Sequence, residues 1–422
     1  MTGASRRALF ALETFGIKLG LEQIRALLEL LGHPERSYPS LVIAGTNGKG
    51  SVTAMVERGL RAAGYRTGRY ISPHLVHLEE RFAIDGQPIS SARLDSLAEK
   101  VMDVAASLPA PPSFFEATTA IALEEFRRDA VDVAVLEVGL GGRLDATNAV
   151  DSKAVAITAV DFDHQMHLGS TIEEISREKA GVIKRGGLTI LGENPSPVCR
   201  IIIEVASLVG SDLVYAADGV AAETEMIDGR ITASIATPRA SYAGLTLALR
   251  GRHQVANAIT AIRLLEELDA RRMFVIPQEA IRTGVEQAVW PARLELIERD
   301  GRQVLIDGAH NPAGARSLAT YVLEVFERPL PMVLGVMRDK EIDEIVRALA
   351  PAASHFICTA AQSPRAATPA ELADAVSRVA PAIPVTIADR AAHALAAARD
   401  MGPTTVVAGS LYLAGEIRAE LM

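Results

Sequence analysis

An α/β fold built on mostly parallel sheets is what this chain predicts, and three observations carry the prediction. Short apolar runs of strand length recur along it, longer patterns of helix formers separate them, and 422 residues suffice for two or three domains of about 150 residues each. We read two. The runs SLVIAG (40–45), VDVAVLEVG (131–139), KAVAITAV (153–160), LTILG (188–192), QVLIDG (303–308), PMVLGV (331–336), HFICTA (355–360) and TTVVAG (404–409) have the continuous apolar character of strands buried on both faces. Helices are expected between them, at 51–63, 112–128, 171–184, 257–268 and 391–400, the last within an Ala-rich stretch of good helix formers. Residues 213–250 read differently, with RITASIATP and LTLALR separated by Gly, Asp and Pro, as antiparallel strands at a sheet edge would be. We place them in the first domain. The boundary is expected near AVWPARLE (288–295), where a Trp-Pro step stops a helix, giving domains 1–290 and 291–422.

Composition narrows the function. A 49% hydrophobic and 23% charged chain is that of a soluble globular protein. With only 4% aromatic residues and a net charge of −9, it lacks the stacking platforms and basic surface that a nucleic-acid phosphate backbone requires. The only cysteines, Cys199 and Cys358, lie far apart without a partner motif, which points to reduced thiols and no cysteine metal site. The start MTGASRRALFALETFG has no apolar core followed by a cleavage site, and no apolar run reaches the roughly 18 residues that span a bilayer. No membrane partner is expected, and the cytoplasm is.

Five clusters carry chemistry. In LVIAGTNGKGSVTAM (41–55), a strand, a turn holding Gly45, Gly48 and Gly50, and a helix set backbone N–H groups around an anion, with Lys49 as a point charge. A structural tight turn is the alternative, and the spacing departs from the usual P-loop because Gly50 separates Lys49 from Ser51. In LEVGLGGRLDATN (136–148), Glu137 ends an apolar run, where a carboxylate reaches the cleft above a parallel sheet. Buried alone it would be costly, so either a cation or a cap or arginine partner is implied. AVDFDHQMHLGSTIEEISREKAGVIK (159–184) offers His164 after an apolar run and Lys179 in a capped helix; singly, a polar core histidine and a solvated lysine are the commoner readings. GRHQVANAITAIRLL (251–265) and IDGAHNPAGARSL (306–318) place Asn, His, Asp or Arg at helix mouths, although turn chemistry also accounts for Asp307, Gly308, Asn311 and Pro312.

Together these are more specific. In order and spacing GTNGKGS, SPHL, FFE, EVGLGGRLDATN, DFDH, EKAGVIK, HQVANA, WPARLE, DGAHNP and GSLY resemble the bacterial folylpolyglutamate synthase and dihydrofolate synthase family of the Mur ligase superfamily, over about residues 15 to 415. The resemblance implies an N-terminal P-loop ATPase domain with a small antiparallel sheet, and a C-terminal Rossmann-like glutamate ligase domain. It implies ATP-dependent addition of L-glutamate to dihydropteroate and to tetrahydrofolate or its polyglutamates, through an acyl phosphate; a monomer is expected. Gly45, Thr46, Asn47, Gly48, Lys49, Gly50 and Ser51 would bind the phosphates, Ser51 and Glu137 one Mg²⁺, and His164 a second cation. Lys179 matches a position that relatives carbamylate. Lys49, Lys179, His164 and His310 are thereby the implied catalytic set. Asn257, Arg293 and Asp307 would contact nucleotide, with Arg293 at the interdomain hinge, and Ser72 and Ser410 would face folate and glutamate. Dual activity needs a pterin pocket, for which Phe115 could stack and Asp145 accept hydrogen bonds.

Three departures stand out: Ala292 in WPARLE where the family usually has glycine, His77 where arginine is common, and an altered FGIKLGL (15–21). Rival readings are a folylpolyglutamate synthase alone, a Mur-type ligase acting on a UDP-sugar peptide, and a nucleotide-gated binding protein without ligase chemistry. With some 40 residues before the glycine loop, a separate UDP-binding domain is not expected.

Overall fold

The computed structural model describes residues 4–16 and 18–422; of FGIKLGL, Ile17 lies outside the described residues. The chain divides into two compact units. One runs to Glu223 and adds Ala233–Thr246 and Ala256–Ala288; the other comprises Thr224–Thr232, Leu247–Val255 and Val289–Met422. Two short segments of the 213–250 region therefore cluster with the second unit, not the first.

The first unit is built on β1 (Ser40–Ala44), β2 (Thr67–Tyr70), β3 (Phe82–Ile84), β4 (Gln87–Pro88), β5 (Val133–Glu137), β6 (Ala154–Ile157), β7 (Leu188–Leu191) and β8 (Asp212–Tyr215), in the order β4-β3-β2-β5-β1-β6-β7-β8. All pairs from β2 to β8 are parallel, and only the two pairs at one edge, β2–β3 and β3–β4, are antiparallel. The period of two sends Val42, Ala44, Ala134, Leu136, Val155 and Ile157 into one core, with the helices Glu22–Leu30, Ser91–Ala105 and Phe114–Arg128. On the other face Leu41, Ile43, Val133 and Val135 meet the helix Lys49–Ala62. That helix packs closely on Gln278–Glu286: a Cβ on Gly284 would lie 2.7 Å from the Met55 carbonyl oxygen.

Asp212–Tyr215, expected among antiparallel strands, instead pairs parallel with β7 at the sheet edge. Its half-exposed residues reflect an edge covered on fewer sides. A small antiparallel sheet follows, β9 (Ala221–Ile227), β10 (Arg230–Ala236) and β11 (Ser241–Thr246), in the order β11-β10-β9.

In the second unit β12 (Glu295–Arg299), β13 (Arg302–Ile306), β14 (Leu330–Leu334), β15 (Ala353–Cys358), β16 (Val385–Ile387) and β17 (Thr404–Ala408) are ordered β12-β13-β17-β14-β15-β16. Only β12 is antiparallel. Leu305, Met332, Leu334, Phe356 and Val406 form its core with helices Pro312–Val325, Ile342–Leu349 and Pro369–Val379. Among the described residues no helix is long and apolar enough to cross a membrane.

Candidate active site

Where β1 ends, the chain turns through Gly45 at φ +140° and Gly48 at φ +90° into the helix Lys49–Ala62. A Cβ on Gly45 would come within 2.0 Å of Thr158 Oγ1, and one on Gly48 within 2.3 Å of Asn257 Oδ1. Both backbone angle and space therefore demand glycine. The N–H groups of Thr46 and Asn47 donate to the Ala159 carbonyl (2.8 and 3.1 Å), so they hold the loop's shape. Thr158 Oγ1 donates to the carbonyls of Ala44 (3.1 Å) and Asn47 (2.8 Å), and Thr46 Oγ1 to that of Asp161 (3.0 Å). The helical ladder begins with Val52 N–H on the Gly48 carbonyl (3.0 Å). The first-turn N–H groups, through Gly50 and buried Ser51, are thus without acceptors inside the helix, as an anion site at a helix N-terminus requires.

Two amines converge on this loop. Lys49 Nζ donates to the carbonyls of Gly45 (3.1 Å) and Thr46 (3.0 Å), and Lys179 Nζ to that of Gly45 (2.8 Å). Lys179 is not the solvated helix lysine its sequence suggests: it is buried, in the helix Ile172–Ala180 that Thr171 and Glu174 cap reciprocally. The GLGG stretch brings it there, since a Cβ on Gly142 would lie 2.8 Å from the Glu178 carbonyl oxygen and 2.9 Å from that of Lys179. Burial and then the charge of Lys49 lower the Lys179 pKa to about 7, against the pull of Asp163 and Asp145.

Glu137 closes β5, in register with Ile43 of β1 and two residues short of Gly45 on the neighbouring strand, and is 6% exposed. His164 sits at φ +50° at the mouth of the short helix Gln165–Leu168. Its N–H donates to Asp163 Oδ1 (2.9 Å), and its Nε2 lies 3.8 Å from the same oxygen. Among the described residues no three His, Cys, Asp or Glu side chains form a metal cage. Hard oxygens on Ser51 and Glu137 beside a phosphate-type loop still fit Mg²⁺, which takes few protein ligands and completes its shell with water and substrate phosphates.

Asp145 is buried, and its carboxylate serves its own loop: Oδ1 accepts from Thr147 N–H (3.0 Å) and Oγ1 (2.5 Å), and Oδ2 from Leu140 N–H (2.8 Å). Burial raises its pKa against these bonds and one from the Gly139 N–H. Phe115 is half-buried with its ring 6.0 Å from that of Tyr70, against Gly139, where a Cβ would lie 2.5 Å from it. Ser113 and Glu116 cap the helix Phe114–Arg128 reciprocally, which explains the SFFE spacing.

Ser72, partly buried, enters a loop whose turn is held by Glu80, which accepts the N–H groups of Leu75 (2.8 Å), Val76 (3.1 Å) and His77 (2.8 Å). His77 is exposed and caps Leu78–Arg81. The loop's buried cation is Arg81, which the sequence reading missed: its Nε donates to His74 Nδ1 (3.0 Å) and its guanidinium lies 5.1 Å from the Phe114 ring centroid. Burial and then Arg81 lower the His74 pKa to about 4. An ERF triplet alone carries no sign of that burial.

In the second unit Asp307 follows β13, and accepts from Leu294 N–H (Oδ2, 2.8 Å) and Ala309 N–H (Oδ1, 2.8 Å). Burial raises its pKa, opposed first by Arg293. His310 Nδ1 donates to the Gly308 carbonyl (2.8 Å), which fixes its tautomer when neutral and turns Nε2 outward from that bond. Arg293 donates to the Ala292 carbonyl (2.9 Å), and Ala292 itself has φ +55°. That angle is the physical reason glycine is usual there. Asn311 caps the helix Pro312–Val325 through Gly314 N–H (2.8 Å), and Ser410 caps Leu411–Leu421 through Leu413 N–H (3.1 Å).

The Mur ligase middle domain matches residues 43–265, and the Mur ligase glutamate ligase domain residues 292–411. The chain is 38% identical over 370 residues to the dihydrofolate synthase/folylpolyglutamate synthase of Mycobacterium tuberculosis, spanning 82% of this chain and 75% of that protein. The folylpolyglutamate synthase of M. tuberculosis complexed with ADP and AMPPCP aligns with a TM-score of 0.91 at 34% identity, over 99% of each chain. The bifunctional folylpolyglutamate synthase/dihydrofolate synthase of Yersinia pestis complexed with AMPPNP and Mn ion aligns at 0.87 and 30% identity, over 100% of this chain and 98% of that one. The glycine loop with its two lysines, the capped DGAHNP turn and matches over most of the chain thus lead to one conclusion: the chain belongs to the folylpolyglutamate synthase/dihydrofolate synthase family of the Mur ligases, and is an ATP-dependent ligase.

Proposed function

We propose that this protein couples ATP cleavage to the addition of L-glutamate to dihydropteroate, and to tetrahydrofolate or its polyglutamates. The observation that carries the proposal is the convergence of a helix N-terminus, Lys49 and Lys179 on the loop at Gly45. A carboxylate is a poor acylating agent. Its oxygen attacks the γ-phosphorus of ATP and ADP leaves; the glutamate amine attacks the acyl phosphate, loses a proton, and phosphate departs. Lys49 and the first-turn N–H groups meet the charge on the transferring phosphoryl group. Gly45, Thr46, Asn47 and Gly48 set the loop, and Gly50 lets the phosphates approach the helix. Ser51 and Glu137 would hold one Mg²⁺ and His164 a second, and such ions would supply charge neutralisation on the phosphates.

Lys179 is proposed to be carbamylated: its neutral amine adds to CO₂, a C–N bond forms and a proton is released. Two ammonium groups on one buried carbonyl repel each other, and the carbamate replaces one of them by an anion beside the cation sites. Asn257, Arg293, Asp307 and His310 are proposed on the nucleotide, Ser72 and Ser410 toward folate and glutamate, and Phe115 in the pterin pocket. Because the Asp145 oxygens are held by its own loop, its proposed part there is to order the residues around Phe115. We place the enzyme in the cytoplasm as a monomer, with Cys199 and Cys358 as thiols.

The test supplies ATP, glutamate and either dihydropteroate or tetrahydrofolate, and follows ADP release. Glutamate-dependent release with both is expected. Turnover with tetrahydrofolate alone reduces the enzyme to a polyglutamate synthase, and release that ignores the amine removes the ligase reading.

A further inference from the structure

Strand register places an arginine beside the carboxylate assigned to the metal. Arg69 of β2 pairs with Val135 of β5. Side chains of paired residues share a sheet face, and Glu137 lies two residues beyond Val135 on that same face, about 7–8 Å away as a diagonal neighbour and within reach of a long side chain. The helix that opens at the glycine loop covers this face and contributes Glu57, which is 1% exposed. Arg69 Nη1 lies 3.8 Å from Glu57 Oε2. The other oxygen, Oε1, accepts from Thr67 Oγ1 (2.7 Å) and lies 3.4 Å from Arg61 Nε. Glu57 is thus supported independently of Arg69, whereas the guanidinium, itself largely buried, feels the charges of both Glu57 and Glu137.

We propose that Arg69 is a positioning residue for Glu137, anchored by Glu57 on the glycine-loop helix and holding the Glu137 carboxylate toward the cation. The inference rests on the assignment of Glu137 to the metal. Guanidinium suits this task, since it stays charged when buried and presents several donors from a fixed plane. It also ties the position of Glu137 to the helix whose N-terminus faces the phosphates, so metal ligand and phosphate cradle keep one geometry. Groups that orient a metal ligand are typically worth 10–100-fold in metal affinity or activity.

The experiment titrates the full-length protein, with AMPPNP present, against Mn²⁺ and reads free Mn²⁺ by electron paramagnetic resonance. Half-saturating Mg²⁺ for ADP release and the melting temperature are measured alongside. Arg69→Met is expected to raise the half-saturating Mn²⁺ about tenfold or more, with Arg69→Lys between it and the parent. Should Arg69→Met fail to fold, Arg69→Lys and Glu57→Gln carry the comparison, each with a smaller rise in the same direction. An arginine that serves folding alone would lower the melting temperature and leave Mn²⁺ half-saturation within twofold of the parent, which overturns the inference. Glu137→Gln is the control: if it too leaves Mn²⁺ binding unchanged, the metal assignment of Glu137 falls and the role of Arg69 falls with it. If only Glu137→Gln weakens binding, the assignment stands and the positioning role alone is lost.

Discussion

Lys49 and Glu137 are placed by the ends of adjacent parallel strands, and neither anchors the core. Lys49→Ala and Glu137→Gln are therefore expected to melt within about 1 kcal/mol of the parent, yet to lose turnover by roughly 10²–10³-fold or more, as loss of a preorganised charge-stabilising group does. Circular dichroism melts and steady-state ADP release check both. A near-parent rate for Glu137→Gln at saturating Mg²⁺ would take this carboxylate out of the site. Lys179 shows what a sequence hides at this scale. SREKAGVIK reads as a solvated helix, and only the approach of Gly142 to its backbone and the carbonyl of Gly45 at its amine reveal a buried base. If it is carbamylated, Lys179→Ala should lose activity that added acetate partly restores. Density ending at a bare ammonium in a metal-loaded crystal would exclude the modification.

Among elements, the glycine loop was legible because its requirement is local: a strand, three glycines and a helix in one short run. Gly48→Ala should nevertheless test a tertiary constraint, because the added Cβ meets Asn257 Oδ1 at a backbone angle that disfavours alanine. Loss of about 1–3 kcal/mol in chemical denaturation, together with weakened ADP binding by calorimetry, is expected; unaltered binding would mean the loop shifts without consequence. The central strands β1, β5, β6 and β7 and the second unit's β13, β14, β15 and β17 agree with the apolar runs to within a few residues. The interior strand β2 and the strands β3, β4, β12 and β16 at or near the sheet edges match none of the apolar runs, and β8 was expected as antiparallel. An edge buries little, so Gln87–Pro88 or Asp212–Tyr215 has no need of an apolar run. The loop proposed to border the pterin stands between these cases. Its EVGLGGRLDATN pattern was legible, but the use of the Asp145 carboxylate within it appears only when Thr147 and Leu140 are seen donating.

At the scale of the whole molecule, the buried amine of Lys179 links stability to pH. Its pKa falls from 10.5 to about 7 on folding. Between those values the unfolded chain holds a proton that the folded chain has released, so stability rises with pH through that window and the cost of burial is complete below it. In CO₂-free buffer Lys179→Met is therefore expected to melt several degrees above the parent at pH 6.5, taking about 2–4 °C per kcal/mol, with the gap narrowing toward pH 10. Scanning calorimetry across that range checks it, and a gap independent of pH would return the amine to its ordinary pKa. By itself the sequence determined the α/β class, most of the central strands, the glycine loop and the family. Apolar runs, obligatory glycines and motif order are local properties, readable without knowing what packs where. Only the tertiary structure decided which charges share a site: that Lys179 joins Lys49 at Gly45, that Arg69 and Glu137 lie on one sheet face, and that Arg81 is the buried cation of its loop. Such neighbours are set by strand register and helix packing between residues tens to more than a hundred positions apart, and burial, which sets what a charge can do, is a property of those contacts.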